Sequence, residues 1–387
     1  MKIKRICFSL VTLLSLSTLF LHATILPKDQ KKSAQKITVN HETEIVFGQS
    51  AFLSGHFALY GNIIKNAILA CFQGVNNSGG INGKKLRLIS LDDQGDPEKT
   101  KKNVAYLRSL GVTMFLGNMG TRSLLALLPL LEQKKIALLF PWGGDEQLRN
   151  PKLSNIINGL GLLQPQLKAL VEHIAGTLKL SQVAIFHADD DFSTDGAHEL
   201  TTLLKNYDIT PVAQSSYNRF TLDIETPAKK LLTPDPRIVI CLASSMPTVK
   251  LINNFFHCGH FGTQFYGIDS TLFVPEILKN RGVPFTYTSS VPDPLTSTLA
   301  IAEQYRKDLQ KFFPDEEYNA MSFAYYISAK IVIESIKLSG TNITQENLLN
   351  NIERMQNFDL AGFPITFNKN NRHAFGSEIT LISNNKK

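Results

Sequence analysis

Glu44-Ile-Val-Phe-Gly-Gln-Ser50 is a strand-like run that leads into Ala51-Phe-Leu-Ser54-Gly55, and a helical pattern follows from Tyr60-Gly61 to Val75. Next come Asn76-Asn-Ser-Gly79-Gly80-Ile81-Asn82-Gly83, a second strand, and Asp92-Asp93-Gln-Gly-Asp96-Pro97. Strand, Ser/Gly loop, helix, Gly-rich turn and strand make a βαβ unit. Its loops leave the C-terminal ends of the strands, where open α/β sheets hold small ligands.

Working outward, strand-like and helix-like segments alternate along the chain. Candidate strands are Glu44–Ser50, Lys85–Asp93, Thr113–Gly117, Ile136–Pro141, Gln182–Ala188, Val212–Tyr217, Arg237–Leu242 and Gln264–Ile268. Helical periodicity lies between them, at Leu124 to Leu131, Pro165 to Leu178 and Thr248 to Phe256. Such alternation implies βαβ units and mainly parallel sheets. From Phe285 to Pro294 the chain reads as extended, and two helices follow, Leu299 to Phe312 and Tyr318 to Leu338. The body beyond residue 43 runs to about 340 residues, which suits two domains of about 150 each.

The first residues speak to compartment. Met1-Lys2-Ile3-Lys4-Arg5 is basic, Ile6 to Leu21 is apolar, and Leu21-His22-Ala23 ends small. This is the pattern of a cleaved secretory signal peptide over residues 1–23. A single membrane anchor is the alternative, since a span needs about 20 apolar residues. No cysteine follows at a spacing suited to lipid attachment, so a soluble periplasmic protein is expected. Residues 24–43 read as a flexible leader.

Charge excludes one class of partner. The formal charge is +7, and losing Lys2, Lys4 and Arg5 leaves +4. The lysines are dispersed rather than set in a basic stripe with aromatics, so nucleic-acid binding is not expected. Cys71, Cys241 and Cys258 remain after cleavage. Two of them could pair in an exported protein, leaving one free; buried apolar thiols are the other reading.

Several apparent chemical motifs fail on context. Gly79-Gly80-Ile-Asn-Gly83-Lys84 follows a helix and precedes a strand, the reverse of a phosphate loop. His257-Cys258-Gly259-His260 lacks a second ligand pair, so no metal is expected. Asp189-Asp190-Asp191 cannot turn three consecutive side chains to one ion. No Gly-x-Ser-x-Gly elbow or His-Glu-x-x-His appears, and nothing sets a nucleophile beside a base. A binding protein without cofactor is expected, not an enzyme.

The loops after successive strands carry small and hydroxyl residues. Gly117-Asn-Met-Gly120-Thr121-Arg122-Ser123 opens one helix, and Pro141-Trp142-Gly143-Gly144-Asp145 follows the next strand. Both are expected to present free backbone N–H groups at one sheet edge, a seat for a carboxylate. Thr121 either joins that seat or caps its helix. Trp142 either lines the cleft or packs within its own lobe.

Leu53-Ser54-Gly55, Asn76 to Gly83, Asp92-Asp93 with Asp96-Pro97, Gly117 to Thr121, and Tyr305 with Ala324-Tyr325 occur in a telling order. From about Glu44 to Ile382 the chain resembles the type I periplasmic solute-binding proteins of the leucine/isoleucine/valine class. The resemblance implies two Rossmann-like lobes joined by three crossovers, near Leu160, Pro292 and Gly362. It divides the chain into 44–162 with 293–362, and 163–292 with 363–387, and returns Ile365 to Phe367 and Ile379 to Ile382 to the second lobe. It implies a monomer that holds a solute in the interlobe cleft and presents it to an inner-membrane ABC permease. The family's carboxylate-binding hydroxyl falls on Thr121, beside Gly120, and its backbone contact falls near Gly143. Its aromatic wall falls on Tyr60, its second-lobe tyrosine on Phe192, and its ammonium-binding acid on Asp269 or the neighbouring Ser270.

The chain also departs from that pattern. The hydroxyl that assists ammonium binding would fall near Gly144, where none exists, and a second-lobe aromatic position falls on Ser244. A cysteine pair of some relatives becomes Gly95 and Gly120. Asp269 permits an amino acid, since a buried cation needs a partner, but it also suits a strand-end turn. The expected function is therefore a receptor for a small amino acid-like or amide-like solute. The alternative is a sensory receptor of the same fold serving a membrane signalling protein.

Overall fold

The computed structural model describes residues 37–55, 57–143, 146–159, 163–218, 221, 223–367 and 379–384. The signal peptide and most of the leader lie outside these residues, as do Gly144 and Leu160. From Val39 onward the chain forms one compact unit. The first half builds β1 (Glu44–Ala51), α1 (Ala58–Asn77), β2 (Lys85–Asp92), α2 (Pro97–Ser109), β3 (Met114–Leu116), α3 (Thr121–Leu125), α4 (Leu128–Glu132), β4 (Ala137–Leu139) and β5 (Ile156–Ile157). These strands form a sheet of order β2-β1-β3-β4-β5, parallel at every pair.

The second sheet draws on α5 (Leu163–Val171), β6 (Val183–Ala188), α6 (Asp191–Lys205), β7 (Ala213–Tyr217), α7 (Glu225–Leu232), β8 (Ile238–Leu242), α8 (Ser245–His257), β9 (Gln264–Gly267), α9 (Val274–Ile277) and β10 (Phe285–Ser289). The chain then runs through α10 (Ala300–Phe312), α11 (Ala320–Leu338), α12 (Gln345–Glu353), β11 (Phe358–Leu360), β12 (Phe363–Ile365) and β13 (Thr380–Ser383). The second sheet has the order β13-β10-β9-β8-β6-β7, and only β13 runs antiparallel within it. Two doubly wound lobes result, the architecture of the expected fold class.

The reasons are local. Helices cover both faces of each sheet, so β6 and β8 are buried at every residue, as parallel strands must be. Asp96 caps α2, accepting a hydrogen bond from the Glu98 N–H at 2.8 Å, with Pro97 in the first turn. The Gly-rich run after α1 is a turn, closed by a Gly80 N–H to Val75 carbonyl bond of 3.0 Å. Pro129 opens α4, so the single helix expected over Leu124 to Leu131 divides into two short ones. The helix expected over Pro165 to Leu178 is α-helical to Val171 and then a π-turn over Glu172–Thr177.

In the first lobe α1 packs against α10 and α11, so the chain returns there after β10. The return to the second sheet comes later than expected. Phe363–Ile365 pairs with β11, the Phe367 N–H bonds the Met355 carbonyl at 2.6 Å, and the Phe367 ring meets Phe140. Gly362 thus lies inside a hairpin turn, and Ile365 to Phe367 stays with first-lobe residues instead of joining the second sheet. Among the described residues only β13, on the edge beside β10, makes the return.

Candidate functional site

The strand order reverses between β1 and β3 in the first sheet and between β6 and β8 in the second. The loops leaving these points form the facing rims of a cleft. In the first lobe, Asp92 ties the loop after β1 to the loop after β2. Its Oδ1 accepts from the N–H groups of Leu53 at 2.9 Å and Ser54 at 3.3 Å, and its Oδ2 accepts from the Ser54 hydroxyl. Partial burial works against ionisation, but the Ser54 hydroxyl and the backbone donors outweigh it and hold the carboxyl below its usual range. Next to it Asp93 is fully buried. There burial outweighs the Gly95 N–H and the Ser50 and Thr100 hydroxyls, and the carboxyl lies above its usual range.

Gly95 and Gly120 flank the ring of Phe52. A Cβ on Gly95 would approach it to 2.9 Å and one on Gly120 to 2.4 Å, and both glycines hold positive φ. The ring therefore fills the space between them, which explains why both positions are glycine here.

The expected carboxylate seat is only partly as read. The Gly120 N–H donates to the Trp142 carbonyl at 2.9 Å, and the Trp142 N–H donates to the Asn118 carbonyl at 2.8 Å. Those two donors are spent on joining the loops to each other. Thr121 is the first residue of α3 rather than its cap, which is Gly120 with no side-chain bond. Gly143 packs beside it: a Cβ there would lie 3.5 Å from the Thr121 Cα. Gly144 and the Phe192 side chain lie outside the described residues.

Tyr60 on α1 connects the two rims. Its ring stacks on Trp142 with centroids 5.2 Å apart and meets Phe273 edge-on at 4.6 Å. Its hydroxyl shares a hydrogen bond with Ser245, and burial nonetheless raises its pKa. Ser245 is buried, while Ser244, where the resemblance puts a second-lobe aromatic position, is exposed and heads α8. Ser245 Oγ donates to the Ser270 carbonyl at 3.2 Å and accepts from the Phe273 N–H at 3.3 Å. The Ser270 hydroxyl donates to the Ala243 carbonyl at 2.8 Å, so it serves the second lobe's own loops.

Asp269 stands at the end of β9. Its Oδ2 accepts from Gln166 Nε2 at 3.1 Å, and its N–H donates to Gln166 Oε1 at 3.0 Å. The Thr288 hydroxyl also donates to that oxygen, at 2.8 Å. Burial pushes the carboxyl up to about 6, against the opposing pull of the Gln166 amide, the Ser270 N–H and the charge of Arg149 from the first lobe.

Behind this rim lies a cavity of about 30 Å³ between the lobes, room for about two waters. Asp269, Ser289 and Ser290 line it from the second-lobe side, and Trp142 and Tyr325 from the first. Leu272, Met321 and Ala324 supply apolar wall. Of the residues singled out in the sequence for ligand contact, Asp269 lines this cavity, and Tyr60 backs its Trp142 wall. Ser289, Ser290, Met321 and Tyr325 were not singled out for it. The signal for Ser289 and Ser290 was the extended Tyr287-Thr-Ser-Ser-Val291 stretch running toward Pro292; Tyr325 entered only as part of the family pattern, and Met321 had no signal. Among the described residues no cluster of His, Cys, Asp and Glu can hold a metal, and no helix is long and apolar enough to cross a membrane. Cys71, Cys241 and Cys258 are free thiols; the first two are buried and Cys258 is exposed.

Comparison with known proteins agrees with this fold. A family model described as periplasmic binding protein matches residues 44–382. A Leu/Ile/Val-binding protein homolog of Brucella melitensis is 21% identical over 196 residues, covering 51% of this chain and 53% of that protein. The chain thus spans about half the length of the first curated relatives it matches. A possible leucine/isoleucine/valine-binding protein from Rhodopirellula baltica superposes with a TM-score of 0.75 at 24% identity, covering 88% of this chain and 93% of that one. A solute-binding protein of R. palustris in complex with 4-hydroxybenzoate gives a TM-score of 0.76 at 16% identity, covering 89% and 94%.

Proposed function

From the premise that this chain belongs to the periplasmic binding protein family, whose members bind solutes and are not enzymes, we propose that it is the periplasmic receptor of an ABC importer. It takes a small amino acid-like or amide-like solute between the lobes and presents it to an inner-membrane permease. The observation that carries this reading is the Asp269 carboxyl in the wall of the interlobe cavity, a space that holds about two waters as it stands and must widen as the lobes part to admit the solute. A carboxyl held there by Gln166 is positioned to receive an ammonium or amide N–H. Thr121 and Gly143, adjacent on the opposite lobe, take the carboxylate or carbonyl end. Trp142, backed by Tyr60, packs on the solute's body.

A thermal-shift screen of the full chain over amino acids, amides, urea and small carboxylates tests this. At about 100 times its dissociation constant a true solute adds about 2.7 kcal/mol of stability. Asp269→Ala should weaken that solute by about 1–3 kcal/mol, the cost of leaving a buried donor unpaired. Thr121→Val should weaken it less. No shift with any class rejects the solute assignment, and turnover of a bound probe rejects the receptor reading.

A further inference from the structure

Tyr325 lies on α11 with 2% of its surface exposed, and its hydroxyl has no hydrogen-bond partner. That oxygen belongs to a residue of the cavity wall. A buried hydroxyl left unpaired costs about 1–3 kcal/mol, and a phenylalanine would fill the same volume without that cost. Met321, Ala324 and Leu272 of the same wall carry no group that could serve it, and the Ser289, Ser290 and Asp269 side chains that also line the cavity make no hydrogen bond to it. The contrast with the next residue is direct. Tyr326 is equally buried, but its hydroxyl donates to Asp308 Oδ2 at 2.6 Å within the first-lobe core. Asp269 stands in the wall of the same cavity, contributed by the other lobe. The site thus sets the unpartnered Tyr325, from the first lobe, opposite Asp269, Ser289 and Ser290, from the second, in a largely apolar wall.

We infer that Tyr325 reads a second polar group on the solute, so the receptor selects a small polar amino acid or amide over an aliphatic one of the same shape. This rests on the solute class proposed above and adds a requirement to it: one group for Asp269 and a hydroxyl or carboxamide for Tyr325. Discrimination follows from the protein's side of the bond. A site built around a hydrogen bond rejects the analogue that lacks it much more strongly than an apolar pocket rejects one extra polar atom.

Near-isosteric probe pairs separate the outcomes: asparagine against leucine, and threonine against valine, titrated calorimetrically into the full chain. The wild type should favour the polar member of a pair by at least about tenfold. Tyr325→Phe should abolish that ratio by weakening the polar probe, leave the apolar one unchanged or tighter, and keep or raise the unliganded melting temperature. Tyr326→Phe is the control; it should lower the melting temperature and leave the ratio intact. Equal wild-type affinity within both pairs, the result expected if water serves Tyr325, overturns the inference. So does a Tyr325→Phe variant that keeps the ratio. Binding of none of the four probes, or of other solutes only, overturns the amino acid class itself and this requirement with it.

Discussion

At the scale of single residues, Asp269 is the group whose chemistry is most altered by its place. Its folded pKa of about 6 stands above the roughly 3.9 of an unfolded chain. Between those values the folded state binds the extra proton, so stability falls as pH rises. The contribution is complete below about pH 4 and lost as pH passes through about 6. Urea unfolding of the unliganded protein across that window should therefore show a decline that Asp269→Asn removes. Parallel decline in both proteins would detach the effect from this carboxyl. Cationic solutes should bind better above the window, where the carboxylate is charged. The residue itself was legible in the sequence, at a strand end in a βα loop. Ser244 came from the resemblance, as the place of a second-lobe aromatic; the structure exposes it and buries its neighbour Ser245, a choice between adjacent serines that the sequence pattern does not make. The alternatives at Trp142 resolve jointly: it lines the cavity and also stacks within its own lobe.

At the scale of elements, α11 decides the rear of the cavity. It is buried without a break from Ala320 to Ala329, enclosed by α1, α10 and α12, so packing rather than propensity holds it. Its start is set by Asn319, whose Oδ1 accepts from the Ser322 N–H at 2.9 Å. Asn319→Ala should cost about 1 kcal/mol, read as a lower denaturation midpoint, while probe selectivity at Tyr325 persists. A loss of selectivity as large as that of Tyr325→Phe would mean the cap also positions the site. The limits of periodicity show at this scale too. The apolar spacing of Leu124 to Leu131 ran through the break that Pro129 makes between α3 and α4, and nothing in the apolar spacing of Glu172–Thr177 distinguishes a π-turn from an α-turn. The short pairs β5 and β11–β12 are too brief for any alternation to register.

At the scale of the whole molecule, the parts that meet at the cavity are far apart in the chain. Trp142, Asp269, Ser289 and Tyr325 come from two sheets and a helix reached through separate crossovers. A βαβ pattern reveals each sheet edge by itself, which is why the first-lobe loops were readable and the rear wall was not. The same geometry brings the lobes together at the rim, through Tyr60 against Phe273 and Ser245 and through Arg149 facing Asp269. Such contacts stabilise this arrangement against one in which the lobes part to admit the proposed solute, and that has a measurable consequence. Tyr60→Phe deletes the Ser245 hydrogen bond but keeps the ring packing on Trp142 and Phe273. One bond of about 1 kcal/mol shifts an open–closed equilibrium by about fivefold, and solute affinity falls by at most that factor because only the closed fraction binds fully. Small-angle scattering of the unliganded variant should then give a larger radius of gyration than the wild type, and saturating solute should erase the difference. An unchanged radius together with unchanged affinity would show that the hydroxyl contributes nothing to closure, leaving the aromatic faces and the Arg149–Asp269 attraction to hold the lobes together.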